Sequence, residues 1–122
     1  MTFDALYGLD LTDCSDSLVR GRVSVRDELM QAAGAVHGGV YGAISEALAC
    51  CGTDAGVGGN GRRAVGLSNL TTTFHPITGG TIHATAVRRH RGRTTWVWEV
   101  EISDDEQRRC AVARVTVAVR DP

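Results

Sequence analysis

Alternating apolar and polar residues dominate the second half of the chain, and this pattern predicts β-strands. Short turns separate the four segments that show it, which are Ala64–Phe74, Thr81–Arg89, Thr94–Ile102 and Cys110–Val119. Nearer the N-terminus, Leu9 and Leu11 indicate a short strand, and the segment from Leu18 to Arg26 alternates through three valines. Because the connections are short, we expect an antiparallel sheet of about six strands.

Only one long segment has helical periodicity. From Val40 to Cys51 the apolar residues recur at intervals of three and four. We expect the helix to stop at Gly52 and the stretch from Gly52 to Arg63 to be a loop, because so much glycine disfavours regular structure. The segment from Asp27 to Gly39 has no clear period and is predicted to be a loop with one helical turn.

These elements predict a single α+β domain over residues 1–122, in which the antiparallel sheet wraps around one central helix. Trp96 and Trp98 lie at the same parity of one strand, and polar residues occur at the other parity. Apolar side chains left over on one small sheet usually indicate a partner subunit, so we expect an oligomer.

Composition narrows the function classes. A net charge of −1 gives no reason to expect nucleic acid or a membrane surface. No apolar run approaches the roughly 20 residues of a membrane span, and the N-terminus lacks the pattern of a signal peptide, so we expect a cytoplasmic protein. The four cysteines have no metal-site spacing, and we expect reduced thiols with neither a zinc site nor disulfides.

One stripe of the predicted helix carries candidate chemistry. Gly42, Glu46 and Cys50 follow one another at intervals of four and therefore share a face. A helical glutamate usually belongs to a solvated face. A helix wrapped by a sheet has little such surface, however, and Glu46 is the only charge in the predicted segment. We therefore expect a partly desolvated carboxylate that acts as a base or a nucleophile.

The sequence His37-Gly38-Gly39 precedes this helix. Free N–H groups and the positive end of the helix dipole converge there and can hold a carbonyl oxygen that gains negative charge. The alternative is an ordinary glycine-rich helix start with histidine as its cap. Gly38 lies about 12 Å from Glu46 along the helix axis, so two antiparallel helices of a dimer could share the two groups more easily than one chain could combine them.

Several short motifs together resemble one known family over nearly the whole chain. They are Gln31, His37-Gly38-Gly39, Glu46, Val65-Gly66-Leu67, His75-Pro76-Ile77, Gly79-Gly80, Arg91-Gly92-Arg93 and Arg108-Arg109-Cys110-Ala111. The family is that of the hotdog-fold acyl-CoA thioesterases, in the phenylacetate-degradation branch that includes 4-hydroxybenzoyl-CoA thioesterases. The combination is specific, although no single motif is.

The resemblance implies hydrolysis of an acyl-CoA, or of an acyl group on a carrier protein, to a carboxylic acid and a free thiol. Glu46 would be the nucleophile or general base, and the Gly38 N–H would polarise the carbonyl with help from Gln31 or His37. Cys50 replaces a hydroxyl residue that positions water in the family, and a thiol is a weaker hydrogen-bond partner. No metal or organic cofactor is implied beyond the coenzyme A of the substrate, and a homotetramer built as a dimer of dimers is expected.

Further residues are expected to bind substrate. Gly39 and Gly42 leave room beside the reacting groups, and Thr73 and Phe74 stand where enterobactin-type relatives carry histidine. Arginine suits bidentate contact with phosphate, and in the family the coenzyme A phosphates lie near the region of a basic run that contains Arg88, Arg89, Arg91 and Arg93. The alternative for this run is a solvated hairpin end.

Two other functions remain open. A hotdog dehydratase or hydratase is less favoured, because we find no second acid or histidine arranged as in those relatives. A non-catalytic module that binds acyl-CoA is compatible with Cys50. Retention of Gln31, Gly38 and Glu46 together argues against it.

Overall fold

The computed structural model describes residues 1–122 and contains two helices and six strands. In chain order they are α1 (Phe3–Tyr7), β1 (Asp10–Cys14), β2 (Leu18–Ser24), α2 (Gly38–Val57), β3 (Arg63–Thr73), β4 (Thr81–Arg91), β5 (Thr95–Ser103) and β6 (Arg109–Arg120). Single 3-10 turns cover Asp27–Leu29 and Gly58–Asn60. No helix combines the length and the apolar character that a membrane span requires.

All six strands form one antiparallel sheet in the order β1-β2-β4-β5-β6-β3. Strands β4, β5 and β6 follow one another as a meander, whereas β3 pairs only with β6 and therefore forms an edge of the sheet. Helix α2 packs across one face of the sheet, with its closest alignment along β3. The predicted fold class, an antiparallel sheet around one central helix, is confirmed.

The alternation of β5 divides the sheet into an inner and an outer face. Trp96 and Trp98 point inward with Val100 and Ile102 and are almost fully buried in the core. The interpretation of the tryptophans as apolar side chains left over for a partner is therefore wrong, because α2 covers their face. The residues of the other parity, among them Thr95, Glu99 and Glu101, occupy the outer face.

Helix α2 continues to Val57, one and a half turns beyond the predicted stop at Gly52. The helix contains glycine at these positions because the two indole rings occupy the space where side chains would be. Trp98 covers Gly52, and Trp96 covers Gly56. Between them, Thr53 accepts a hydrogen bond from Trp98 Nε1 at 3.0 Å and donates one to Ala49 O at 2.8 Å. Burial of two tryptophans offsets the roughly 1 kcal/mol that each helical glycine costs.

Helix α1 has no counterpart among the predicted elements, because five residues are too few to show a period. Its first turn is capped by Thr2, whose side-chain oxygen accepts a hydrogen bond from Ala5 N at 3.2 Å. Gly8 ends it in the left-handed conformation at φ 86°, which favours glycine. Tyr7 anchors the turn, since its ring is buried in the core.

The packing of glycine against tryptophan makes a specific prediction about stability. We expect Gly52→Ala to lower the free energy of unfolding by about 1–3 kcal/mol, because its Cβ would overlap the Trp98 ring and a Val19 methyl group. Gly58→Ala is the matched control, since a Cβ there meets no atom within 4 Å. Equal urea denaturation midpoints for the two variants would contradict this account of the helix.

Candidate active site

An open groove of about 360 Å³ lies between α1, α2 and the edge strand β3. The structure places all three residues of the predicted stripe in it, because the opposite side of α2 is buried against the sheet. The lining consists of Phe3, Asp4, Gly42, Ala43, Glu46, Ala47, Cys50 and Asn69. Small side chains of α2 form the floor, and the carboxylate and the thiol stand above it.

The Glu46 carboxylate lies directly against the backbone of β3. A Cβ atom at Gly66 would stand 2.8 Å from Glu46 Cδ and 3.0 and 3.1 Å from the two oxygens. Only glycine therefore leaves the carboxylate in this place. Glu46 is exposed in the single chain, contrary to the expected desolvation, because the sheet covers one side of α2 only and ends at β3.

The thiol of Cys50 lies one helical turn beyond Glu46. Burial raises the pKa of Cys50 to about 11, with further contributions from the charges of Glu46, Asp54 and Asp4. The backbone N–H of Gly66, which lies near the sulfur, lowers this pKa by a smaller amount. At neutral pH the thiol is therefore protonated and is not a nucleophile.

The start of α2 presents one free hydrogen-bond donor. The Gly39 N–H donates to His37 Nδ1 at 2.8 Å, and the Val40 N–H donates to His37 O at 2.9 Å. The Gly38 N–H donates no hydrogen bond within the chain, and the residue is exposed. His37 thus caps the helix, while Gly38 offers its N–H at the positive end of the dipole.

Gln31 is brought toward this helix start by a short hairpin-like loop. Met30 bridges to Val36, and the Gln31 N–H donates to Ala35 O at 2.7 Å. The side-chain oxygen of Gln31 accepts a hydrogen bond from the Ala33 N–H. Its side-chain amide N–H groups have no partner in the chain and remain available as donors.

The end of β3 lies level with the start of α2, because strand and helix run in opposite directions. Asn69 Nδ2 donates to Gly42 O at 2.9 Å, and the Ala64 N–H donates to Asp54 Oδ1 at 2.8 Å. The next residues along β3 therefore lead toward Gly38. Thr73 and Phe74 are exposed at that end of the strand, away from Glu46.

None of the four arginines of the basic run lines the groove. Arg88 and Arg91 lie over the Trp96 ring, with their guanidinium carbons 5.3 and 4.5 Å from its centroid, and both bind Asp16. Arg89 points to the outer face, where it pairs with Glu99 at 3.1 Å. Arg93 is exposed, and it is the one arginine of the four whose guanidinium forms no ion pair or hydrogen bond.

Gly66, which lies against Glu46, and the lining residues Asn69, Phe3 and Asp4 were not assigned a role from the sequence. Gly66 had a signal, since an isolated glycine within a strand often marks a close approach to the backbone. Asn69 gave none, because an amide among strand residues has no distinctive pattern. Phe3 and Asp4 depend on α1, which was not predicted.

The thiol chemistry leads to a prediction about labelling. With iodoacetamide at pH 7.5, we expect exposed Cys14 to be alkylated while Cys50 stays unmodified, because the thiolate is the reactive form. Alkylation of Cys50 should rise as the pH approaches about 11. Peptide mass spectrometry measures both sites. Alkylation of Cys50 at pH 7.5 as fast as that of Cys14 would show that the thiol ionises at neutral pH.

Comparisons with known proteins agree with this architecture. The sequence model of the thioesterase superfamily matches residues 33–111. A candidate esterase of Mycobacterium tuberculosis is 37% identical over 98% of this chain and 85% of its own length, and its solved structure superposes with a TM-score of 0.94 over 98% and 97% of the two chains.

Two further relatives carry the name thioesterase. The proofreading thioesterase EntH of Cronobacter turicensis is 29% identical over 92% of this chain and 81% of its own length. A thioesterase of Staphylococcus aureus is 27% identical over 96% and 97% of the two chains, with a TM-score of 0.92. The chain therefore belongs to the thioesterase superfamily, the hotdog-fold hydrolases of thioesters.

Proposed function

We propose that the protein hydrolyses an acyl thioester of coenzyme A or of a carrier protein. The observation that supports this proposal is that helix α2 carries both groups the reaction needs. These are the free Gly38 N–H and the Glu46 carboxylate, which lies against Gly66. Solved structures of the Staphylococcus aureus thioesterase include variants in which a glutamine and a glutamate were each replaced by alanine. Those are the residue types that we assign to the site at Gln31 and Glu46.

Two routes fit these groups. In the first, a Glu46 oxygen attacks the carbonyl carbon, the C–S bond breaks, and the thiolate leaves and takes up a proton. Water then hydrolyses the resulting mixed anhydride and restores the carboxylate. In the second, Glu46 takes a proton from the attacking water and passes it to the leaving thiolate. In both routes the Gly38 N–H stabilises the negative charge that develops on the carbonyl oxygen.

The geometry favours a site shared between two subunits. Gly42 lies midway between Gly38 and Glu46 on the helix, and it is tied to Asn69 of the edge strand. A two-fold axis near Asn69, with β3 paired to its own copy, would set Gly38 of one subunit level with Glu46 of the other.

The surface of β3 supports this pairing. The strand carries three exposed apolar side chains: Val65, Leu67 and Leu70. An edge of this kind is a template for a second strand. Burial under the partner would also supply the desolvation that Glu46 lacks in the single chain. The expected homotetramer would join two such dimers.

A complementation experiment tests both the residues and the sharing. We expect Glu46→Ala to lower kcat for thiol release by roughly a hundredfold to ten-thousandfold. Gly38→Pro should lower it about a hundredfold or more, because it removes the oxyanion donor. Proline suits this position: it is the first helical residue, and His37 before it is extended at ψ 133°.

Mixed assemblies of the two variants, purified through two different tags, should regain about half of the wild-type activity. Each mixed dimer contains one site with both groups intact and one with neither. Mixed assemblies that stay inactive would place the two groups in one chain. Wild-type protein that binds acyl-CoA but releases thiol from no acetyl, hexanoyl or benzoyl thioester would instead support the non-catalytic module.

The contact between Gly66 and the Glu46 carboxylate leads to a separate prediction. We expect Gly66→Ala to lower kcat about tenfold or more, with a smaller change in KM, because the added Cβ displaces both Glu46 oxygens. The unfolding temperature should not change, since the flexible end of the Glu46 side chain can move away from the added Cβ. Gly79→Ala is the control, as a Cβ there meets nothing within 4 Å. A wild-type kcat in Gly66→Ala would mean that this contact does not determine the position of the Glu46 carboxylate.

A further inference from the structure

We propose that helix α1 is a specificity element, with Phe3 as a wall of the acyl pocket and Asp4 as a barrier to negatively charged acyl groups. The preferred substrate class is then an uncharged, apolar acyl thioester. This inference rests on the proposed function, since it concerns the same groove beside Glu46.

Helix α1 is held in place firmly enough to shape a pocket. Tyr7 is buried in the core, and its hydroxyl donates to Asp4 Oδ1 at 2.9 Å. Arg26 reaches across from the end of β2 and donates to Leu6 O at 2.6 Å. The Leu9 N–H donates to Asp4 O at 3.0 Å. An N-terminal turn tied at so many points is not a fraying terminus.

Phe3 is the only large apolar side chain in the groove. Its ring packs edge-on against Tyr7, with the centroids 5.2 Å apart and the planes at 65°, yet 65% of the residue is exposed. The facing residues of α2 are Gly42, Ala43 and Ala47, which leave an open floor. When the carbonyl of a thioester substrate lies beside Glu46, its acyl group would lie on this floor and contact the Phe3 ring.

Asp4 sets the charge of the groove. Its carboxylate is the second acidic group in the lining, with Glu46, and its charge reaches Cys50. The lining contains no arginine or histidine that could pair with an anion. An acyl group that ends in a carboxylate would meet two like charges on this chain, whereas an uncharged group meets no such repulsion and can pack against Phe3 and the alanines.

Hydrolysis of acetyl-, benzoyl- and succinyl-CoA by Phe3→Ala and Asp4→Asn tests the inference. Leu6→Ala is the matched control, because Leu6 is an exposed apolar residue of the same helix that does not line the groove. We expect Phe3→Ala to lower kcat/KM for benzoyl-CoA about threefold to tenfold and to leave acetyl-CoA within about twofold. Asp4→Asn, which still accepts the Tyr7 hydrogen bond, should raise kcat/KM for succinyl-CoA about threefold or more.

The outcomes separate this inference from the proposed function. Equal losses on all three substrates, or the same pattern in Leu6→Ala, would overturn the role of Phe3. Succinyl-CoA turnover that Asp4→Asn does not raise would overturn the role of Asp4. If the wild type hydrolyses none of the three thioesters, the proposed function fails and the inference fails with it. If the wild type is active and these variants behave like Leu6→Ala, only the inference fails.

Discussion

The packing of two tryptophans against two helical glycines is the contact on which the rest of the structure depends. Trp98 and Trp96 occupy the positions where side chains of Gly52 and Gly56 would be, so the C-terminal half of α2 approaches the sheet closely. The hydrogen bond from Trp98 Nε1 to Thr53 fixes the rotation of the helix about its axis. That rotation decides which residues face the core and which face the groove. The carboxylate of Glu46 therefore owes its place to a contact almost two turns away along the helix.

Because α2 lies close to the sheet, β3 needs a residue without a side chain where it faces Glu46. Gly66 leaves room for the Glu46 carboxylate, and the same stretch of backbone directs its N–H toward Cys50. Asn69 then ties the strand to the helix backbone through Gly42 O. A strand that lies at the edge of the sheet thus holds the Glu46 carboxylate and the Cys50 thiol on one side. Its other side, with its unpaired backbone, is available to a second copy.

The sequence predicted the six strands and the start of the helix because both have clear periods and clear turns. It failed where glycine plays a packing role, since Gly52 and Gly56 look like helix breakers until the indole rings that cover them are known. It also missed α1, whose single turn is stabilised by a buried tyrosine and by Arg26 rather than by its own pattern. For the site, spacing alone placed Gly42, Glu46 and Cys50 on one face. The arginines were a different matter, because their pairing with Asp16 and Trp96 depends on tertiary contacts that sequence does not show.

The protonation state of Cys50 is best understood through its burial and the charges around it. A solvated thiol with a pKa of about 8.5 is a few per cent ionised at neutral pH, and its thiolate would bring a third negative charge close to Glu46. Here burial and the neighbouring carboxylates raise the pKa of Cys50 to about 11, so the thiol is protonated at neutral pH. In that protonated form the side chain keeps the donor and acceptor character of a hydroxyl, although each hydrogen bond is weaker. Burial, together with the acidic neighbours, therefore lets a cysteine stand at this position without adding a charge beside the carboxylate.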